Sequence, residues 1–84
     1  MDPRIKEFVE EDKEWMAELW QRNQNILGHS RQLRDSIQSH ILVLTHPIGE
    51  EMLKTMNVLI EEQEKKIEAI EEKMDEYEEM LDGE

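Results

Sequence analysis

From Leu53 to Leu81 the chain repeats at alternating steps of three and four: Leu53, Met56, Ile60, Gln63, Ile67, Ile70, Met74, Tyr77 and Leu81. Eight of the nine positions are apolar, and neither Gly nor Pro interrupts the stretch. A straight α-helix slips by about 20° per heptad against a strict seven-residue repeat, so a register held over four heptads predicts a helix wound against another helix. The prediction is a long coiled-coil helix over residues 48–82, followed by a disordered tail at 83–84.

The residues beside this seam choose an orientation for two identical strands. With Leu53 taken as position a, the g positions are Leu59, Lys66, Lys73 and Met80, and the e positions are Asn57, Glu64, Glu71 and Glu78. A parallel pair sets Lys66 against Glu71 and Lys73 against Glu78, whereas an antiparallel pair sets like charges together. Each exposed pair is worth only ~0.2–1 kcal/mol, but the signs reverse between the two arrangements. The pattern therefore predicts a parallel homodimer, or a coil with a different subunit, with Gln63 as a polar residue that fixes register.

Upstream, Asp2 followed by Pro3 marks a helix start: a capping oxygen, then a proline at the first helical position. Ile5, Phe8, Val9, Trp15, Met16, Leu19, Trp20, Ile26 and Leu27 fall within an arc of about 140° on a helical wheel, which predicts one buried face. Gly28 stands where a helix end wants a left-handed residue, so the first helix is read as residues 3–27. A short second helix follows over residues 31–44, with Leu33, Ile37, Ile41 and Leu44 on one face and the apolar run 41–44 at its end. Pro47 and Gly49 mark residues 45–49 as a connection. The expected fold is all-α: a two-helix head over residues 1–47 at the base of the coiled-coil stalk.

Charge narrows the function classes. Twenty-two acids against ten bases give a net charge of −12, which opposes binding to DNA, RNA or anionic lipid. No run approaches the ~18 apolar residues of a membrane span, and no leader of the secretory kind is visible. There is no cysteine, so thiolate chemistry is excluded, and an intracellular protein is the default.

Catalytic and metal motifs are sparse. Glu10-Glu11-Asp12-Lys13-Glu14 matches half of the metal-binding pattern of all-helical nucleotide pyrophosphohydrolases, which also needs an E-x-x-D on a neighbouring helix. Residues 15–49 contain no such string, and Glu72-x-x-Asp75 comes late, on the coiled-coil segment. His29, His40 and His46 lack zinc-site spacing. No metal, cofactor or catalytic residue is assigned. Asp12 lies inside the apolar arc, where a carboxylate must find a partner or reach the rim; Arg22, Arg31, Arg34 or another protein are the candidates. Trp15 and Trp20 lie on opposite flanks of the arc and should touch different neighbours.

The reading that follows is a non-enzymatic, oligomeric adaptor or assembly protein. Its coiled coil would set copy number, and its head, through Phe8, Asp12, Trp15, Leu19, Trp20, Ile26 and Leu27, would engage a partner protein or complete the core. The alternative is an acidic inhibitor whose stalk mimics nucleic acid and occupies the groove of a basic protein.

Overall fold

The computed structural model describes residues 1–40 and 45–83. Two α-helices of equal length, α1 (Pro3–Gln38) and α2 (Pro47–Asp82), make up the fold, and no strand occurs among the described residues. A 36-residue helix spans about 54 Å, and the molecule is a rod of 61 × 15 × 14 Å. The helices lie antiparallel. Lys13 reaches Glu78 near the open end, and Asn23 meets Gln63 in the middle.

Each of the four helix ends carries a capping hydrogen bond. The Asp2 carboxylate accepts from the Arg4 N–H at 2.8 Å, with Pro3 following as the sequence predicts. At the far end of α1, the Ser39 N–H reaches back to the Asp35 carbonyl at 3.0 Å and the His40 N–H to the Ile37 carbonyl at 3.1 Å. α2 starts at Pro47, and the cap is His46, whose Nδ1 accepts from the Ile48 N–H at 3.2 Å. The expected connection over 45–49 is therefore shortened, because a proline at the first helical position gives up no hydrogen bond. Gly49 lies buried inside the first turn of α2. At the end of α2 the Gly83 N–H bonds the Glu79 carbonyl at 3.0 Å. No basic residue occupies that last turn, so Glu78 and Glu79 face the negative end of the helix dipole unrelieved by a neighbour on the same turn.

The chain does not break at Gly28. No glycine among the described residues has a positive φ, and α1 runs through this position for ten further residues. The expected helix over 31–44 is thus the second half of α1 as far as Gln38. The apolar run at residues 41–44 lies outside the described residues. There is also no head at the base of a stalk, because α1 runs beside α2 along its length.

The predicted seam of α2 is the face turned to α1. Ile60, Ile67, Ile70 and Tyr77 are buried, and Leu53, Met56, Gln63, Met74 and Leu81 are half-buried. α1 answers with a matching series at steps of four and three: Val9, Lys13, Met16, Trp20, Asn23, Leu27, Ser30, Arg34 and Ile37. Every one of these is buried or half-buried. The core centres on Leu27, Ile60 and Ile67, with Trp20 packed against it. The two helices thus pack side by side and antiparallel, within one chain, through matching series of inward-facing residues.

Candidate protein-interaction surface

An antiparallel pairing sets e positions beside e positions and g positions beside g positions, so the hairpin has two distinct flanks. Glu64, Glu71 and Glu78 recur every seventh residue along one of them. Glu64 pairs with Arg31 at 3.7 Å, Glu71 accepts from Trp20 Nε1 at 3.1 Å, and Glu78 pairs with Lys13 at 3.2 Å. The interchain pairs expected of Glu71 and Glu78 with Lys66 and Lys73 assumed an identical strand alongside. In the structure α1 fills that place, and Lys73 pairs along its own helix with Glu76 at 3.1 Å. It also lies 5.1 Å from the centre of the Tyr77 ring. The Glu76 hydrogen bond and charge together raise the Lys73 pKa above its ordinary value.

The opposite flank is uncovered; it is largely apolar on α1 and at the loop end of α2, and toward the open end α2 places Lys66 and Lys73 on it. On α1 it carries Ile5, Leu19, Ile26 and Leu33 at steps that are multiples of seven, with Phe8 and Trp15 in the adjacent row. All of these are exposed except Leu19, which is half-buried. Phe8 is 64% exposed and Trp15 55%. α2 continues the same flank with Ile48, Met52 and Leu59, all exposed. Leu33, Ile37, Ile48, Met52 and Met56 line a shallow groove of about 490 Å³ that joins the two helices near the loop end.

The predicted arc of α1 is therefore split. α2 is only one helix wide, so it covers Val9 and Leu27 fully and Met16, Leu19 and Trp20 in part, and leaves Ile5, Phe8, Trp15 and Ile26 bare. The two tryptophans have separate surroundings: Trp20 is in the core, and Trp15 faces solvent.

Polar residues on the inner face are matched across the helices. Gln63 donates through Nε2 to Asn23 Oδ1, and Asn23 Nδ2 donates to the Leu19 carbonyl at 2.7 Å. Asp12 accepts from the Tyr77 hydroxyl, rather than from any of the three arginines considered for it. That hydrogen bond, with burial second, raises the Tyr77 pKa. No buried side-chain nitrogen or oxygen among the described residues lacks a hydrogen-bond partner. The phase of Asn23, and its match to Gln63, was the signal the sequence offered for the α1 seam.

The antiparallel fold also returns Glu72 and Asp75 to the open end, near Glu10–Glu14, although they are far apart in sequence. Both occupy outward-facing positions of α2, and among the described residues no three His, Asp or Glu side chains are grouped as metal ligands. No helix there is long and apolar enough to cross a membrane. Comparison with known protein families, curated proteins and solved structures finds no match for the chain.

Proposed function

We propose that this chain is a non-enzymatic interaction module, an adaptor or assembly subunit that engages other α-helices through the uncovered flank of the hairpin. The observation that carries the reading is the exposure of Ile5, Phe8, Trp15, Ile26 and Leu33 along one side of α1. Isolated exposed apolar residues are ordinary on protein surfaces, but contiguous rows mark places where another molecule packs. Trp and other aromatic residues dominate the energetics of such contacts. Helices docking on a heptad-spaced row would pack as helices do in coiled coils and bundles, alongside the α1–α2 pair.

The mechanism is geometric. Asn23–Gln63 and the glutamate flank hold the hairpin in one register, and that register keeps the apolar row straight and outward. A double charge substitution, Phe8→Glu with Trp15→Glu, tests the assignment against Ile67→Lys, which strikes the core. At low protein concentration, circular dichroism should show the flank variant as helical as the wild type. Ile67→Lys should lose most of its helix. The flank variant should also lose the associations the wild type makes at higher concentration. If it unfolds in dilute solution as Ile67→Lys does, the row belongs to the fold and the reading fails.

A further inference from the structure

We infer that the occupant of the uncovered flank is a second copy of this chain, packed antiparallel about a two-fold axis near Leu19 to form a four-helix bundle. This inference rests on the proposed interaction role and names its partner. Its first support is area. Ile5, Phe8, Trp15, Ile26 and Leu33 on α1, with Ile48, Met52 and Leu59 on α2, are each 45–64% exposed on one side of the rod, and a specific interface takes ~800 Å² from each partner. A hairpin with one dressed and one bare flank is half of an up-and-down bundle.

The second support is the order of residues along the row. Leu19 lies near the middle of α1, and reversing the helix about it sets Ile5 opposite Leu33. The row's one acid, Asp12, falls opposite Ile26, and the Tyr77 hydroxyl of its own chain already engages its carboxylate. A parallel pairing would instead set Asp12 against Asp12 and Arg22 against Arg22.

Charge makes the same choice. The open half of the hairpin, residues 1–21 and 67–84, carries sixteen acids and four bases, a net of −12. The loop half, residues 22–66, carries six of each and is neutral. Antiparallel packing lays each acidic half against the neutral half of its partner. Parallel packing would crowd both acidic halves at one end, where repulsion within a Debye length of about 8–10 Å is not screened.

Light scattering coupled to size exclusion, from micromolar to near-millimolar chain, reads the association directly, and the absence of cysteine allows an orientation test. Ile5→Cys and Leu33→Cys variants, each alone and mixed, are oxidised and run on a non-reducing gel. The expected result is a twofold rise in mass with concentration, abolished by Phe8→Glu with Trp15→Glu. Disulfide dimers should form readily in the mixture and poorly in either variant alone. A dimer in which Ile5→Cys links efficiently to itself overturns the antiparallel arrangement. A wild-type monomer at every concentration overturns self-association. The proposed interaction role fails separately, if the flank variant is unfolded in dilute solution.

Discussion

Replacing Gly28 with alanine separates two ways of folding this chain by the sign of one number. If the helix ended at Gly28, the residue would hold a left-handed conformation, and a Cβ there would cost ~1–2 kcal/mol. In the structure Gly28 is an interior residue of α1 with no positive φ, and a Cβ built on it meets nothing within 4 Å. It lies on the outer face of the helix, away from both the α2 seam and the apolar flank, beside Gln24, Asn25, His29 and Gln32. Only helix propensity and unfolded-chain entropy then change, and both favour alanine, by about 0.8–1.0 kcal/mol together in a helix interior. For a domain of this length each kcal/mol moves the melting temperature by roughly 4–8 °C. Thermal and urea unfolding followed by circular dichroism at one fixed, low concentration should therefore show Gly28→Ala melting several degrees higher, with an unchanged urea slope. A lower melting temperature would mean that α1 breaks at Gly28 in solution, and the continuous helix would be refuted.

The lone tyrosine gives a clean titration. Its absorbance change near 295 nm should have a midpoint above the usual value of about 10 in the native protein and fall back toward it in Asp12→Ala or in denaturant. Because folding raises this pKa, the stability from the Tyr77–Asp12 bond should be complete below about pH 10 and disappear as pH rises through the native value; Tyr77→Phe should flatten that part of the alkaline loss. In the central polar layer, Gln63→Leu alone should cost about 1 kcal/mol in urea unfolding, since it strands Asn23 Oδ1 on a half-buried face. Adding Asn23→Leu should recover that loss, and a coupling near zero in the double-mutant cycle would show that the pair does not act as a unit. Removing Glu78, whose partner Lys13 is partly exposed, should change stability by no more than ~0.5 kcal/mol, and a larger loss would make that flank a major support of the hairpin.

The α2 seam could be read from the sequence because its nine positions are nearly all apolar and the heptad is unbroken. The α1 seam could not, because Lys13, Asn23, Ser30 and Arg34 occupy four of its nine positions, so hydrophobicity alone picks out the neighbouring row instead. Gly28 then suggested an end, although the spacing of Ile26 to Leu33 and of Leu27 to Arg34 crosses it without a change of phase. The orientation argument was sound for two identical strands: lysine at g and glutamate at e do oppose antiparallel self-pairing. What it left out was that α1 supplies unlike neighbours. Arg31, Trp20 and Lys13 meet the glutamates, and Ile26 and Leu33 lie on the g side. The same omission explains Asp12, whose partner Tyr77 lies sixty-five residues on.

That α1 turns its more polar row toward α2 has a physical reason. A helix facing one partner needs one stripe, but a helix with apolar residues over a wide arc can satisfy only part of it against a single neighbour. α2 is strongly apolar on one stripe and acidic elsewhere, so it can dress one side of α1 and no more. The row it dresses is the one where side chains of both helices can be matched: Leu27 with Ile60 and Ile67, Asn23 with Gln63, Lys13 beside Glu78. Turning α1 to bury Phe8 and Trp15 instead would break the Asn23–Gln63 layer and move the cations away from the glutamate flank. It would also leave Leu27 and Trp20 in water. Specific polar matches thus fix the rotation of α1 against the pull of its largest side chains, and much of the apolar surface left over lies along one flank of the hairpin. Among the described residues the buried core comprises Val9, Leu27, Ile60, Ile67, Ile70 and Tyr77, spread along a rod 61 Å long. Covering the remaining row is where this chain has most apolar burial still to gain.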